Sequence, residues 1–252
     1  MQSARQCLTL HGFVALLLMP LEGFCQQSQL PAGMVRLSEV APLIRQDIRY
    51  AGTFNFTAAR VPGYDAAQCI LWRPAAEALL RVEKELELHG YALKVFDCYR
   101  PAQAVRAFLS WSRSPENGPL KRVFYPDFDK STLFARGFIS ARSRHSRGVA
   151  VDVGLVRSGD VESAVPDEVG PCDGAFGERV NESSLDLGTT FDCFSPLSAT
   201  SSRAVSNEAH NNRMKLVRAL NAHGFSNYWK EWWHFEFNDI NAPTIEYDFP
   251  VR

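Results

Sequence analysis

The chain has 252 residues, enough for one large domain or two small ones, and its 46% hydrophobic and 22% charged content is that of a globular protein. A net charge of −1 without any basic block offers no field for a polyanion, which speaks against a nucleic-acid partner. With 17 Phe, 7 Tyr and 5 Trp the chain can fill a large core.

The N-terminal segment reads as an export signal. Arg5 is its only charged residue before Glu22, and the apolar run 12–21 is shorter than the about 20 residues that cross a bilayer. Small residues at Gly23 and Cys25 suit cleavage after Cys25, so residues 1–25 are expected to be a signal peptide. A lipid anchor on Cys25 is the competing reading, and Glu22 and Phe24 disfavour it. No other segment has the character of a membrane span, and nothing suggests an obligate protein partner. Residues 26–252 show neither internal repeat nor clear linker and are expected to form one domain.

Four cysteines follow the signal: Cys69, Cys98, Cys172 and Cys193. An even count in an exported chain suggests two disulfides. Of the possible pairings, Cys69–Cys98 with Cys172–Cys193 is favoured, because each pair brackets one structural unit; buried free thiols are the alternative.

Residues 26–36 read as a polar tether, 37–50 mix helix and strand signals, and 51–68 read as loop. Apolar residues at Ala76, Leu79, Leu80, Val82 and Leu86 predict a helix over 73–89, with Pro74 in its first turn and Gly90 as cap. Residues 91–98 read as a strand and 101–112 as a helix. Residues 114–142 carry turn signals. In the predicted strand 149–156, Val149, Val151 and Val153 alternate with Ala150, Asp152 and Gly154, so one face is small and bears a charge. Residues 157–185 look like an inserted, acidic surface loop. A helix over 207–223 and an aromatic strand over 228–237 complete the chain. The order lacks regular β-α-β alternation and predicts an α+β fold, helices packed on a mainly antiparallel sheet.

The chemistry lies in two segments, Ser143-Arg-His145-Ser-Arg-Gly-Val-Ala-Val-Asp152 and Glu231-Trp-Trp-His234. His145, Asp152 and His234 supply three nitrogen or oxygen ligands, the set of a catalytic zinc site with an open position, and Glu231 is a spare carboxylate beside it. A carboxylate within an apolar strand, as Asp152 is, must be paired or metal-bound. His89 and His223 each precede a capping Gly, where an imidazolium suits the helix C-terminus.

These segments, with Asp97-Cys-Tyr-Arg100-Pro101 upstream, resemble the zinc-dependent D-alanyl-D-alanine dipeptidases, which share a fold with D,D-carboxypeptidases and the hedgehog signalling domain. Similar stretches at Tyr50–Phe56, Gly188–Asp192 and Tyr247–Val251 extend the resemblance from about residue 37 to the C-terminus. It implies one zinc ion per chain on His145, Asp152 and His234, Glu231 as the group that moves the proton, and Arg100 as the partner of the oxyanion. It also implies a small dipeptide substrate, with Tyr50 and Asp192 near its amino end and Ser143 near its carboxylate. Trp232 would wall the pocket or belong to the core. Read without the resemblance, Arg100 is a surface ion-pair partner and Asp192 a turn-capping acid. The export signal, the cysteines and the acidic insertion depart from cytoplasmic members and point to salvage of D-Ala-D-Ala from the cell wall in the periplasm or outside the cell. Two alternatives stand beside this reading: a zinc carboxypeptidase or endopeptidase acting on peptidoglycan peptides, and a binding module that keeps the metal but not catalysis. The chain contains neither Gly-x-Ser-x-Gly nor His-Glu-x-x-His, which disfavours a serine hydrolase and a thermolysin-like protease.

Overall fold

A computed structural model describes residues 29–116, 119–160 and 170–252. The expected signal peptide, at 1–25, lies outside the described residues. Among the described residues five α-helices form: α1 (Leu37–Val40), α2 (Arg73–Glu87), α3 (Ala102–Arg113), α4 (Pro119–Phe124) and α5 (Asn207–Ala222). The strands are β1 (Met34–Arg36), β2 (Arg45–Gln46), β3 (Ile70–Trp72), β4 (Tyr91–Asp97), β5 (Ala150–Arg157), β6 (Phe225–Asn227) and β7 (His234–Phe237).

The architecture is α+β. The main sheet has five strands in the order β2-β4-β5-β7-β6, and β1 pairs with β3 in a two-stranded sheet. The main sheet is mixed: β2 runs parallel to β4, whereas the other neighbours are antiparallel. A parallel pair requires a crossover, and the chain supplies it by passing through α2 between β2 and β4. Helices α2 and α5 pack against each other and against β4, β5 and β6. His223 Nε2, just after α5, meets Glu85 Oε2 of α2 at 2.8 Å.

Two sequence expectations change. Part of the expected tether is a strand: Met34 and Val35 are buried in β1. The acidic insertion at 157–185 is a surface loop only in part, because Cys172, Val180 and Glu182 are buried. Both favoured disulfides form, Cys69–Cys98 and Cys172–Cys193. Among the described residues, no helix is long and apolar enough to cross a membrane.

The site depends on one irregularity. Val95 pairs with Val153, so a regular ladder would set Phe96 opposite Asp152. A bulge after Val95 sets Asp97 there instead. Asp152 is in turn opposite His234 on β7. Three adjacent strands thus carry Asp97, Asp152 and His234 side by side.

Candidate active site

His145 is presented by a short 3-10 turn, Arg144–Arg147, ahead of β5. The Ser143 hydroxyl accepts the His145 N–H at 3.3 Å and caps the turn. Gly148 ends it with φ +71°, and a Cβ there would strike Met34 and come within 3.2 Å of the Trp72 backbone nitrogen. Only glycine meets both demands. The Cys98 carbonyl accepts from His145 Nδ1 at 2.6 Å. That bond fixes the proton on Nδ1 and leaves the Nε2 lone pair facing the cleft.

His145 Nε2 lies 3.1 Å from His234 Nδ1 and 3.3 Å from Asp152 Oδ1, and the last two atoms are 3.1 Å apart. Tetrahedral bonds of about 2.0–2.1 Å require ligand atoms about 3.3 Å apart. The triangle therefore has the size and the donor chemistry of a metal site, and these are the three residues placed to hold an ion. Burial alone would raise the Asp152 pKa, but the imidazoles of His145 and His234 outweigh it and hold the carboxyl below its ordinary range. Burial likewise opposes charge on His234, yet Asp152 and Glu236 raise its pKa to about 10, so without an ion a proton occupies the centre. Glu236 Oε1 stands 3.5 Å from His234 Nε2 and orients the ring from behind.

Glu231 is not in a strand. Instead of one run over 228–237, the chain turns at 229–233, with Glu231 N–H bonded to the Tyr228 carbonyl at 3.0 Å and His234 N–H to the Glu231 carbonyl at 3.2 Å. Asn227 holds the turn by donating its amide to the carbonyls of Glu231 and His234, each at 3.0 Å. The turn puts Glu231 into the same cavity as the triangle. Burial pushes its pKa up to about 8, against the pull of His234.

Arg100 follows the bulge. Its Nε and Nη2 each reach Asp97 Oδ2 at 2.9 Å, and Nη2 lies 3.4 Å from Asp152 Oδ2. Asp97 also accepts from Tyr64 OH at 2.6 Å. Burial disfavours the guanidinium charge, but Asp97 chiefly offsets that and Arg100 stays charged. Arg100 is thus a cavity-lining cation, not a surface ion pair.

Tyr50 OH donates to Asp192 Oδ2 at 2.8 Å, and both residues line the cavity, as do Ser143 and residues of the 134–142 loop. Burial, and then the charge of Asp152, raises the Asp192 pKa well above its ordinary value. The cavity measures about 370 Å³, the scale of a small-molecule site. Trp232 does not line it. Its indole N–H is bonded to Thr189 Oγ1 at 2.8 Å in the core, and Trp233 faces the cavity instead. In the turn, adjacent residues diverge in direction, so the pocket wall falls one position later.

Asp97 and Glu236 carry no role in the sequence motifs alone. Both had a signal: Asp97 lies three residues before Arg100, and Glu236 two residues after His234, on the same face of a strand.

A buried His/Asp/His triangle, a neighbouring carboxylate of raised pKa and a fixed guanidinium in one cavity define a metallohydrolase. Within that class the chain belongs to the D-ala-D-ala dipeptidase family, peptidase M15, whose model matches residues 31–165 and 179–252. It is 31% identical to a D-alanyl-D-alanine dipeptidase of Enterococcus faecium, over 87% of this chain and 98% of the relative. It is 33% identical to one from Streptomyces coelicolor, over 85% and 96%, and 29% identical to one from Escherichia coli, over 81% and 83%.

Proposed function

We propose that this chain hydrolyses the dipeptide D-Ala-D-Ala at a zinc centre held by His145, Asp152 and His234. The observation that carries the reading is the ligand triangle of 3.1–3.3 Å edges sharing one cavity with Glu231 and Arg100. Zinc, when bound, supplies Lewis acidity toward the scissile carbonyl and acidifies water. Glu231 takes a proton from the attacking water and passes it to the leaving amine, a task suited to a buried carboxyl whose proton affinity is raised above the ordinary. Arg100 faces the oxyanion that develops as the carbonyl is attacked. The Tyr50–Asp192 pair receives the substrate's ammonium and Ser143 its carboxylate. A buried acid at the end of the cavity favours a free amino terminus, and hence a dipeptidase over a carboxypeptidase or endopeptidase.

The fold on this reading is the one shared with D,D-carboxypeptidases and the hedgehog signalling domain, in a single domain over 26–252. Two disulfides and the signal-like segment 1–25 support export, so the dipeptide would come from cell-wall turnover outside the cytoplasm. Activity found only in a cytoplasmic fraction would rule out that location.

The test is a rate comparison on D-Ala-D-Ala, N-acetyl-D-Ala-D-Ala and L-Ala-L-Ala, with and without chelator. D-Ala-D-Ala should be cleaved fastest, the acetylated form poorly, and the chelator should abolish turnover. E231Q should retain zinc and lose hydrolysis. Faster cleavage of the acetylated substrate would replace the dipeptidase reading with a carboxypeptidase.

A further inference from the structure

Tyr50 and Asp192 meet across the cavity from two distant segments. Directly behind them lies a second, buried contact. Arg49 precedes Tyr50, Phe191 precedes Asp192, and Glu182 joins the two. Glu182 Oε1 lies 3.0 Å from Arg49 Nη2, and Oε2 accepts the Phe191 N–H at 2.9 Å. The Arg49 and Glu182 side chains are 5% and 6% exposed.

Each end of this bridge is itself fixed. Arg49 Nε donates to Asp47 at 2.8 Å, and its guanidinium lies 5.1 Å from the Phe96 ring centre. Phe191 stacks on that same Phe96 ring, at 4.7 Å and 11°. Lys94 Nζ donates to the Glu182 carbonyl at 2.9 Å. Asp192 has φ +57°, a conformation that residues other than glycine seldom adopt, so its backbone must be held by its neighbours. On its other side the Cys172–Cys193 disulfide and the Thr190 N–H bond to the Cys172 carbonyl, at 3.0 Å, complete the clamp. A buried ion pair adds little stability over apolar packing of equal volume.

We propose that Glu182, acting with Arg49, is a positioning residue that sets the Tyr50–Asp192 pair and through it the recognition of the substrate's free ammonium. Neither Glu182 nor Arg49 lines the cavity, so the effect passes through the pair. The inference rests on the dipeptidase reading above.

The experiment measures kcat and KM on D-Ala-D-Ala for the full zinc-loaded chain as wild type, E182Q, D192N and E182Q/D192N, with zinc content and melting curves alongside. E182Q keeps an oxygen for the Phe191 N–H and removes the charge facing Arg49. KM should rise about tenfold, the usual weight of a supporting group around a site, with kcat within about twofold. The double variant should match D192N alone, because a group acting through another shows no effect once that other is gone. A purely structural role would give additive losses and is the result that overturns the proposal, as is an unchanged KM in E182Q. R49K, which keeps the charge but cannot fork to Asp47 and Glu182, provides the same cycle with D192N should E182Q fail to fold. An inactive wild type would overturn the function reading and this role with it, whereas an active wild type with an indifferent E182Q overturns this inference alone.

Discussion

Arg100→Ala separates the observed ion pair of Arg100 from its proposed catalytic role. The first is structural. Asp97 is fully buried, and Arg100 is the cation that reaches it twice at 2.9 Å. Removing one partner of a buried ion pair costs about 3–5 kcal/mol, and for a chain of this size each kcal/mol moves the melting temperature by about 2–4 °C. R100A should therefore melt about 6–20 °C below wild type. The other is the proposed chemical one: loss of an oxyanion partner would lower kcat by about 10²–10³. The double variant D97N/R100A removes both charges, and the amide oxygen can still accept from Tyr64 OH. Melting temperature should return most of the way to wild type while kcat stays low. The assay is a calorimetric melt and steady-state kinetics on the same zinc-loaded samples. If kcat recovers together with stability, Arg100 is a structural counter-ion and the oxyanion assignment is wrong.

W232F should lower the melting temperature by about 2–12 °C through loss of the buried indole bond to Thr189, worth about 1–3 kcal/mol. It should leave KM near wild type, and a large KM change would return Trp232 to the pocket. Glu83 has its pKa raised from 4.5 to about 7, chiefly by burial, while accepting the Leu93 N–H at 2.7 Å. The unfolded chain ionises this acid first, so stability is lost as pH rises from 4.5 to about 7 and the penalty persists above. E83Q keeps the acceptor, so its melting advantage over wild type should widen between about pH 5 and pH 8, and a constant gap would refute the argument. Metal binding needs His234 neutral, and without an ion its pKa is about 10. Calorimetric zinc titration at neutral pH, repeated in buffers of different ionisation enthalpy, should show release of at least about one proton per ion. Buffer-independent heats would contradict the protonated apo centre.

Much of this site is legible in the chain because its residues follow local rules. The alternation along 149–156 exposes Asp152 as a charge on a small-residue face, and the glycine after the 144–147 turn marks the sharp entry to β5. Helices α2 and α3 follow their apolar period, whereas α5 buries Asn212 and Arg213 beside Leu216 and Leu220. Where tertiary contacts decide, the sequence is silent. Strands of two or three residues, β2 and β6, carry no periodicity and exist because the sheet edges recruit them. The aromatic run 228–237 has strong strand propensity, yet the Asn227 amide draws the backbone into a turn. The bulge that sets Asp97 against Asp152, and the Glu182 bridge, depend on pairings between segments far apart in the chain.

The antiparallel pairing of β5 with β7 has a consequence for how the ion is acquired. His145 and Asp152 lie close in sequence, but His234 comes 82 residues after Asp152. An unfolded chain must close that long loop before all three ligands meet, and such high-contact-order pairings form late and slowly. The ion therefore cannot nucleate the domain in the way it nucleates a small zinc finger. The apoprotein must reach its β-sheet unaided, and loading is the final event of maturation. On the proposed export, that final event would follow translocation and draw on the metal supply of the destination compartment.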